Sequence, residues 1–278
     1  MYLLREVRVD SPGYAYRGLM TLSDGTTPLY GHSYDVDAIA QSTLQQYPLL
    51  VIRRSPAWSR PPGNYAEVWS SPSWEVWRRV GPAPKVHLAL GEISQPAAVA
   101  QCAQVGALAR AARHDRGRLM FVERPPNIVL NMAEAAHTAN AALISDLEGQ
   151  PQIALGGPAR VEMGFRVRAA GRYRLWLGGD VDRPLHVLLD GRLVGAPTEI
   201  FGGDANRYLV ATVSLTAGKH DLKLIRGGGS LRPGDKASTL IDGGILEPVA
   251  AERETVASVA PSAWHSLCGR RLDWIEVA

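Results

Sequence analysis

The fold is decided by one stretch of this chain, which contains GRYRLWLGG (171–179), LHVLLDG (185–191) and YLVATVSLTAGKHDLKLIR (208–226). Polar and apolar residues alternate in Tyr173–Leu177 and in Leu222–Ile225, which is the pattern of a half-buried β-strand. Asp190-Gly191 and Ala217-Gly218 offer turns, because glycine adopts positive φ without steric cost. The stretch therefore predicts four successive strands joined by tight reversals.

The rest of the chain divides around this stretch. With 278 residues it is long enough for two domains. Turn signals recur about every ten residues across 159–248, which predicts a jelly-roll-like antiparallel β-sandwich over 126–250. Residues 1–125 mix short strand patterns with helical ones, so we expect a mixed α/β domain there. Residues 251–278 read as a tail that returns to the first domain. The predicted fold class is α+β, mostly β.

Within the first domain several elements are predicted. Residues 1–30 are strand-like, and Asp35 is placed to cap a short helix that ends at Tyr47. An apolar run over 49–52 predicts a buried strand. A longer helix is expected over 95–113, with Ser94 as its N-cap and Cys102 on its apolar face.

An unusual concentration of aromatic and arginine residues follows. Four of the seven tryptophans lie within residues 58–77. The cluster consists of Arg53, Arg54, Trp58, Arg60, Tyr65, Trp69, Trp74, Trp77, Arg78 and Arg79. Sugars stack their C–H faces on aromatic rings, and arginine bridges hydroxyls or phosphate, so the cluster indicates a glycan or lipid-linked sugar site. The alternative is a hairpin whose rings fill the core while arginines stack on them at the surface.

The segments YAEVW (65–69) and WEVW (74–77) predict that hairpin. Alternation along them is taken to put Tyr65 and Trp69 on one face, and Trp74 and Val76 on opposite faces. Some of the rings must then belong to the core.

The sandwich offers a second candidate site. Loop FGGDANRY (201–208) brings Asp204, Asn206 and Tyr208 together, whereas Trp176 is expected in the core. The full set of predicted ligand-binding residues is Arg54, Trp58, Arg60, Trp74, Asp204, Asn206 and Tyr208. A structural calcium ion, bound by Glu134 and Asp242, is a further prediction, because calcium takes carboxylate and carbonyl oxygens.

Composition and motifs argue against several other classes of protein. The formal net charge is only +3, which argues against nucleic-acid binding. No run approaches the roughly 18 apolar residues of a membrane span, and Met1–Leu4 is followed at once by Arg5 and Glu6, so no secretory signal is expected. The segment GHSYD (31–35) lacks the second glycine of a nucleophile elbow. Catalysis within this chain is therefore not expected.

Three segments carry a resemblance to a known family. YPLLVIRRSPAWSRPPGNYAEVWSSPSWEVWRR (47–79), the stretch 171–234 and SLCGRRLDWIEVA (266–278) resemble, in that order, the extracytoplasmic C-terminal regions of actinobacterial multi-pass membrane proteins described as glycosyltransferase-like. The central segment is similar to β-sandwich carbohydrate-binding modules. The resemblance implies a location outside the cytoplasmic membrane, with the membrane portion upstream of this chain. It transfers no catalytic residue.

The location bears on the two cysteines. In an oxidising compartment Cys102 and Cys268 can pair, whereas in a cytosolic protein they would be two buried thiols. The resemblance and the helical placement of Cys102 together predict a Cys102–Cys268 disulfide.

The leading functional hypothesis is a non-catalytic glycan-binding or glycan-positioning ectodomain. Its expected partners are cell-envelope polysaccharide or lipid-linked sugar, together with its own upstream transmembrane region. An interaction or scaffold domain without a sugar site is the first alternative, and a glycoside hydrolase is the second.

Overall fold

A computed structural model of the chain describes residues 20–29, 32, 34–92, 94–145, 151–181, 184–197, 207–227, 239–250 and 255–278. This part of the chain is mostly antiparallel β-structure with a few short helices, as predicted. The strands expected before residue 20, the loop residues Asp204 and Asn206, and the segment 228–238 lie outside the described residues.

A β-sandwich forms the larger part of the fold. Its strands are β7 (Ile128–Leu130), β8 (Ala136–His137), β9 (Ala141–Ser145), β10 (Pro151–Leu155), β11 (Ala159–Val167), β12 (Gly171–Asp180), β13 (Leu185–Leu189), β14 (Arg192–Gly195), β15 (Tyr208–Leu215), β16 (Gly218–Arg226) and β17 (Thr239–Pro248). One sheet has the order β15-β12-β17-β10-β9 with β7 beside β17, and the other has the order β14-β13-β16-β11-β8. Inward side chains such as Leu175, Leu177, Val187 and Leu224 form the core between them. A short 3₁₀ helix lies at Met132–Glu134.

The two predicted turns differ in their roles. Asp190 and Gly191 have φ of +50° and +77°, and they join β13 to its neighbour β14 as a tight hairpin. The segment Ala217-Gly218 also reverses the chain, but β15 and β16 belong to different sheets. It is therefore a corner between the sheets of the sandwich rather than a hairpin, and β14 is an additional strand within the expected four-strand stretch.

The first part of the chain contains two smaller sheets. Strands β1 (Leu49–Arg53), β2 (Tyr65–Ser70) and β3 (Trp74–Arg79) form the first, in the order β1-β3-β2. Strands β4 (Val86–Ala89), β5 (Ala98–Val99), β6 (Leu119–Glu123), β18 (Val256–Val259) and β19 (Arg271–Val277) form the second, in the order β18-β6-β19-β4 with β5 beside β19. The predicted hairpin is confirmed. β1 is not the buried strand expected, because Leu49 and Val51 are 50% and 64% exposed.

The helices are shorter than expected. Asp35 does cap a helix, with Oδ1 accepting from the Asp37 amide, but this is a single 3₁₀ turn, Val36–Ala38, followed by α1 (Gln41–Leu44). The long helix α2 runs over Cys102–His114. Ser94 is not its N-cap, because residues 98–99 are extended and pair with β19. This shift places Cys102 at the exposed start of α2 rather than on its buried face.

The C-terminal residues pack against the first part of the chain, and a disulfide links the two. Cys102 is bonded to Cys268, which confirms the predicted pairing. Beside it, Gly269 N donates to Ala100 O at 3.0 Å and Ala100 N donates to Arg270 O at 2.9 Å. The 3₁₀ segment Pro261–Leu267 packs on α2, and β19 then lies between β4 and β6.

Candidate functional site

A polar cleft lies where the β1-β3-β2 sheet and the loop between β1 and β2 (residues 54–64) meet the sandwich. It has a volume of about 110 Å³. Its lining consists of Ile52, Arg53, Arg54, Ser55, Trp58, Ser59, Arg60, Glu67, Glu75, Trp77, Arg124, Trp176 and Glu247. These residues come from the first sheet, from the β1–β2 loop, from the connection after β6 and from strands β12 and β17 of the sandwich. The cleft therefore joins both parts of the fold.

Trp176 forms the deepest part of this junction. It is 1% exposed, and its neighbours Leu175 and Leu177 point into the sandwich core. Trp176 instead lies on the outward side of its sheet, against Ala57 and Ile245, and its indole Nε1 donates to Glu247 Oε2 at 3.0 Å. β12 is consequently buried on both faces and is not the half-buried strand that alternation predicts.

Arg124 holds the loop in place over this junction. Its Nη1 donates to Trp58 O at 2.7 Å and to Asp273 Oδ2 at 3.3 Å. Its Nη2 lies 3.9 Å from Glu247 Oε1. Asp273 also accepts from the Arg60 amide at 3.0 Å. Charged hydrogen bonds of this buried kind fix geometry closely, so Arg124 determines where the backbone of the loop runs.

Three further arginines occupy the wall of the cleft. The Arg60 guanidinium lies 4.8 Å from the centre of the Trp77 ring. Arg53 lies 5.0 Å from the ring of Tyr208 and 5.7 Å from that of Trp74, and Arg54 Nε lies 3.7 Å from Glu75 Oε1. Cation–π contacts of this kind stabilise the positions of Arg53 and Arg60.

The carboxylates of the cleft are also held by donors. Burial raises the pKa of Glu75, and the hydrogen bond from Trp77 Nε1 to its Oε2, 3.1 Å long, partly offsets that rise. Glu247 accepts from Arg174 Nη1 at 3.3 Å. The lining thus offers cationic donors and anionic acceptors side by side around aromatic rings, an arrangement that suits a ligand with many hydroxyl groups.

The structure gathers part of the predicted set. Arg54, Trp58 and Arg60 line the cleft together. Tyr208 lies beside it, linked through Arg53. Trp74 lies on the opposite side of its sheet and is 45% exposed.

Sequence reasoning missed several lining residues: Arg124, Trp176 and Glu247. A signal existed for Trp176. Trp176 and Arg174 alternate with core leucines, and a tryptophan and an arginine on the outward side of a strand favour a covered second face.

The faces of the hairpin differ from the expectation. A β-bulge between Glu67 and Trp69 resets the alternation of β2. As a result Tyr65 is 1% exposed while Trp69 is 55% exposed, on the other face. The opposite placement of Trp74 and Val76 was also wrong, because residues two apart in β3 share a face.

The two residues predicted to bind calcium make other contacts. Glu134 Oε1 accepts from Asn131 Nδ2 at 3.1 Å, and Asp242 Oδ1 lies 2.9 Å from Arg207 Nη1. Within the described ranges, no group of three or more His, Cys, Asp or Glu side chains is arranged to hold a metal ion. The calcium site stays a prediction.

A second polar cluster lies behind the cleft, around His87. Its Nδ1 is 2.7 Å from Glu276 Oε1 and its Nε2 is 2.8 Å from Asp37 Oδ1. Burial opposes protonation of the ring, but the hydrogen bonds and charges of the two carboxylates outweigh it and raise the pKa of His87 to about 9. Glu276 also accepts from the Gly63 amide, so the cluster ties the loop to β4 and β19.

Comparisons with known proteins add the following. No protein-family model and no curated protein matches this sequence. Among solved structures, a family 35 carbohydrate-binding module from Clostridium thermocellum is similar at 12% identity over 44% of this chain and 98% of that one, with a TM-score of 0.35. The C-terminal family 6 module of a laminarinase from the marine Zobellia galactanivorans is similar at 16% identity over 44% and 98%, with a TM-score of 0.34.

A third similar structure is a mannanase of Podospora anserina that contains a family 35 module, at 16% identity and a TM-score of 0.35. The match covers 44% of this chain and only 27% of the mannanase. At these TM-scores the similarity transfers no ligand and no residue role. Separately, no helix in the described part of the chain is long and apolar enough to cross a membrane.

Proposed function

We propose that this chain is a non-catalytic glycan-binding or glycan-positioning ectodomain, and that the cleft between the β1-β3-β2 sheet and the sandwich receives the sugar. The observation that carries the proposal is the composition of the cleft. The partly exposed ring of Trp58 and the buried rings of Trp77 and Trp176 lie within one polar lining of arginines and glutamates.

The size and chemistry of the cleft narrow the ligand. Its volume of about 110 Å³ is well below the ~300–1,000 Å³ typical of drug-sized sites. It therefore suits one terminal sugar unit rather than a long chain. Four arginines face three glutamates in the lining, which favours a sugar that carries a phosphate or another anionic group, as a lipid-linked sugar does.

The wider setting is also a proposal. We place the chain outside the cytoplasmic membrane, attached to a glycosyltransferase-like membrane protein through an upstream region. The resemblance of 47–79, 171–234 and 266–278 supports this setting, and the Cys102–Cys268 disulfide fits an oxidising compartment. We further propose domains at 1–125 and 126–250 with the tail 251–278 on the first, since β6 and β7 join different sheets.

The direct test is titration with arabinan, galactan and mannan fragments, free and phosphorylated, followed by calorimetry. Trp58→Ala is expected to weaken binding by about two- to twelvefold, since an aromatic contact contributes about 0.5–1.5 kcal/mol. Trp69→Ala is the matched control, because Trp69 is exposed on the opposite face of the hairpin. Arg54→Ala provides a second cleft variant in case Trp58→Ala alters the loop. Absence of binding at millimolar sugar would remove the proposal.

Related measurements distinguish the two alternative functions, a glycoside hydrolase and a scaffold domain, from sugar binding. A glycoside hydrolase would release reducing ends during the same titration, which product analysis detects. A scaffold domain without a sugar site would leave every titration flat while another surface binds a partner. The exposed face of the hairpin is the observation that favours a second binding surface.

A further inference from the structure

The β1-β3-β2 sheet has one face that the fold leaves exposed. In an antiparallel sheet, directly opposed residues lie on the same face. The register pairs Leu49 with Arg78, Val51 with Val76 and Trp69 with Val76. We call this side the outer face, and its members are Leu49, Val51, Arg53, Ala66, Trp69, Trp74, Val76 and Arg78.

The apolar part of the outer face is large for a surface. Leu49, Val51, Trp69 and Trp74 are 50%, 64%, 55% and 45% exposed. These side chains are neighbours across three strands, so the apolar surface is continuous. Contiguous exposed patches of this kind mark interaction surfaces, whereas scattered single apolar residues do not.

The bulge in β2 contributes directly to this face. With regular alternation, Trp69 would share the side of Tyr65, which packs against Leu44 and Leu50 in the interior. The extra residue, Val68, turns Trp69 over to oppose Val76 instead. A bulky ring is thereby exposed on the outer face rather than added to the core.

The charges on the hairpin are separated by face. The three strands, all of which the structure describes, carry two carboxylates, Glu67 and Glu75, and both line the cleft on the inner side. On the outer face the charged residues of these strands are Arg78 and Arg53, and the Arg53 side chain also reaches the edge of the cleft at Tyr208. Tryptophan beside arginine, without carboxylates, is the composition of a surface that meets anionic lipid headgroups.

From this arrangement we infer that the outer face binds the surface of a bilayer containing anionic lipid, with Trp69 and Trp74 entering the headgroup region. Apolar side chains flanked by arginine combine partial insertion with attraction to lipid charge. A symmetric dimer through this face fits less well, because it would bring the arginines of two copies to one interface.

The test is vesicle flotation with the whole chain. Vesicles of equal parts phosphatidylcholine and phosphatidylglycerol are expected to bind it, and vesicles of phosphatidylcholine alone are expected to bind several-fold less. High salt should weaken the binding. Arg78→Glu is expected to reduce it at least about fivefold, given the contribution of one basic residue near an anionic surface.

Matched controls distinguish specific binding by the outer face from nonspecific hydrophobic adsorption to vesicles. Leu49→Ser should weaken vesicle binding several-fold, whereas Leu193→Ser should not, although Leu193 is 62% exposed on the sandwich. Arg192→Glu is the control for Arg78→Glu. Equal binding to both vesicle types, no binding to either, or equal losses in both serine variants would overturn the inference. So would a dimer in analytical ultracentrifugation that Leu49→Ser dissociates, since it would show a second copy as the occupant.

Discussion

Removal of the His87 imidazole is the perturbation whose outcome follows most directly from the structure. His87 is 4% exposed and bridges Asp37 and Glu276. In His87→Gln the two carboxylates lose their shared cation inside the fold. Breaking a buried charge pair by removing one partner typically costs about 3–5 kcal/mol, so we expect the variant to be less stable by that order at neutral pH.

The pH dependence of this contribution has a definite sign. The pKa of His87 rises from 6.5 to about 9 on folding, which corresponds to about 3 kcal/mol at about 1.4 kcal/mol per pKa unit. The folded protein holds the proton more tightly than the unfolded chain. The stabilisation is therefore complete below pH 6.5 and is lost as the pH rises through 9.

Other buried groups titrate in a different window. Burial and the charge of Asp37 raise the pKa of Asp35 to about 7. Burial also raises the pKa of Asp273 to about 6, although Arg124 opposes that rise. For each of these two carboxyls the folded protein binds the proton more tightly than the unfolded chain does. The contribution of each carboxyl to stability therefore falls as the pH rises from 3.8 toward the raised pKa. The interval above pH 7 therefore reports mainly on His87.

The assay is chemical denaturation followed by tryptophan fluorescence at a series of pH values. Between pH 7 and the His87 pKa of about 9, the unfolding free energy of the wild type should fall by about 2 kcal/mol relative to His87→Gln. His114→Gln serves as control, because the His114 side chain is 88% exposed. A stability difference between wild type and His87→Gln that stays constant across this interval would refute the reasoning.

Three further predictions concern stability. Reduction or Cys102→Ser opens a loop of 166 residues. The chain-entropy model gives a loss of stability of about 5 kcal/mol for such a loop. Thermal unfolding with and without reductant measures this loss of stability, which should vanish if mass analysis finds Cys268 as a free thiol. Gly63→Ala places a Cβ 2.8 Å from a carboxylate oxygen of the β19 strand and should cost about 1–3 kcal/mol in denaturant titration; an unchanged midpoint would show that the neighbours move freely. Trp176→Phe removes the donor to Glu247 and should cost about 1–3 kcal/mol, so a neutral variant would mean that the carboxylate finds another partner.

Local patterns in the sequence account for much of the fold. The hairpin turn at 190–191 follows from glycine chemistry, and the strands at 65–70, 74–79 and 218–226 follow from composition and alternation. Pairing between distant strands does not follow from such patterns. The assignment of β15 and β16 to different sheets, for instance, depends on which neighbours each strand finds in the sandwich.

The candidate site likewise combines residues whose proximity the sequence predicts with residues that only long-range packing brings together. Arg54, Trp58 and Arg60 are close in sequence, so their clustering in one cleft could be predicted. Arg124 reaches Trp58 across 66 residues, and Trp176 reaches Glu247 across 71. Contacts of that length are produced by packing of the sheets, and single-residue patterns carry no direct signal of them.

The bulge at Val68 is a place where packing of the core overrides the local alternation pattern. Strict alternation would direct Trp69 toward the interior, where Tyr65 and Trp77 already pack with Leu50. Because interiors are close-packed, another indole there would require a larger core. The extra residue avoids that overpacking and places Trp69 beside the exposed Trp74 face instead. The same single insertion thus leaves Glu67 on the cleft side and Trp69 on the outer side, so that one hairpin carries the wall of the proposed sugar site on one face and the proposed lipid-binding surface on the other.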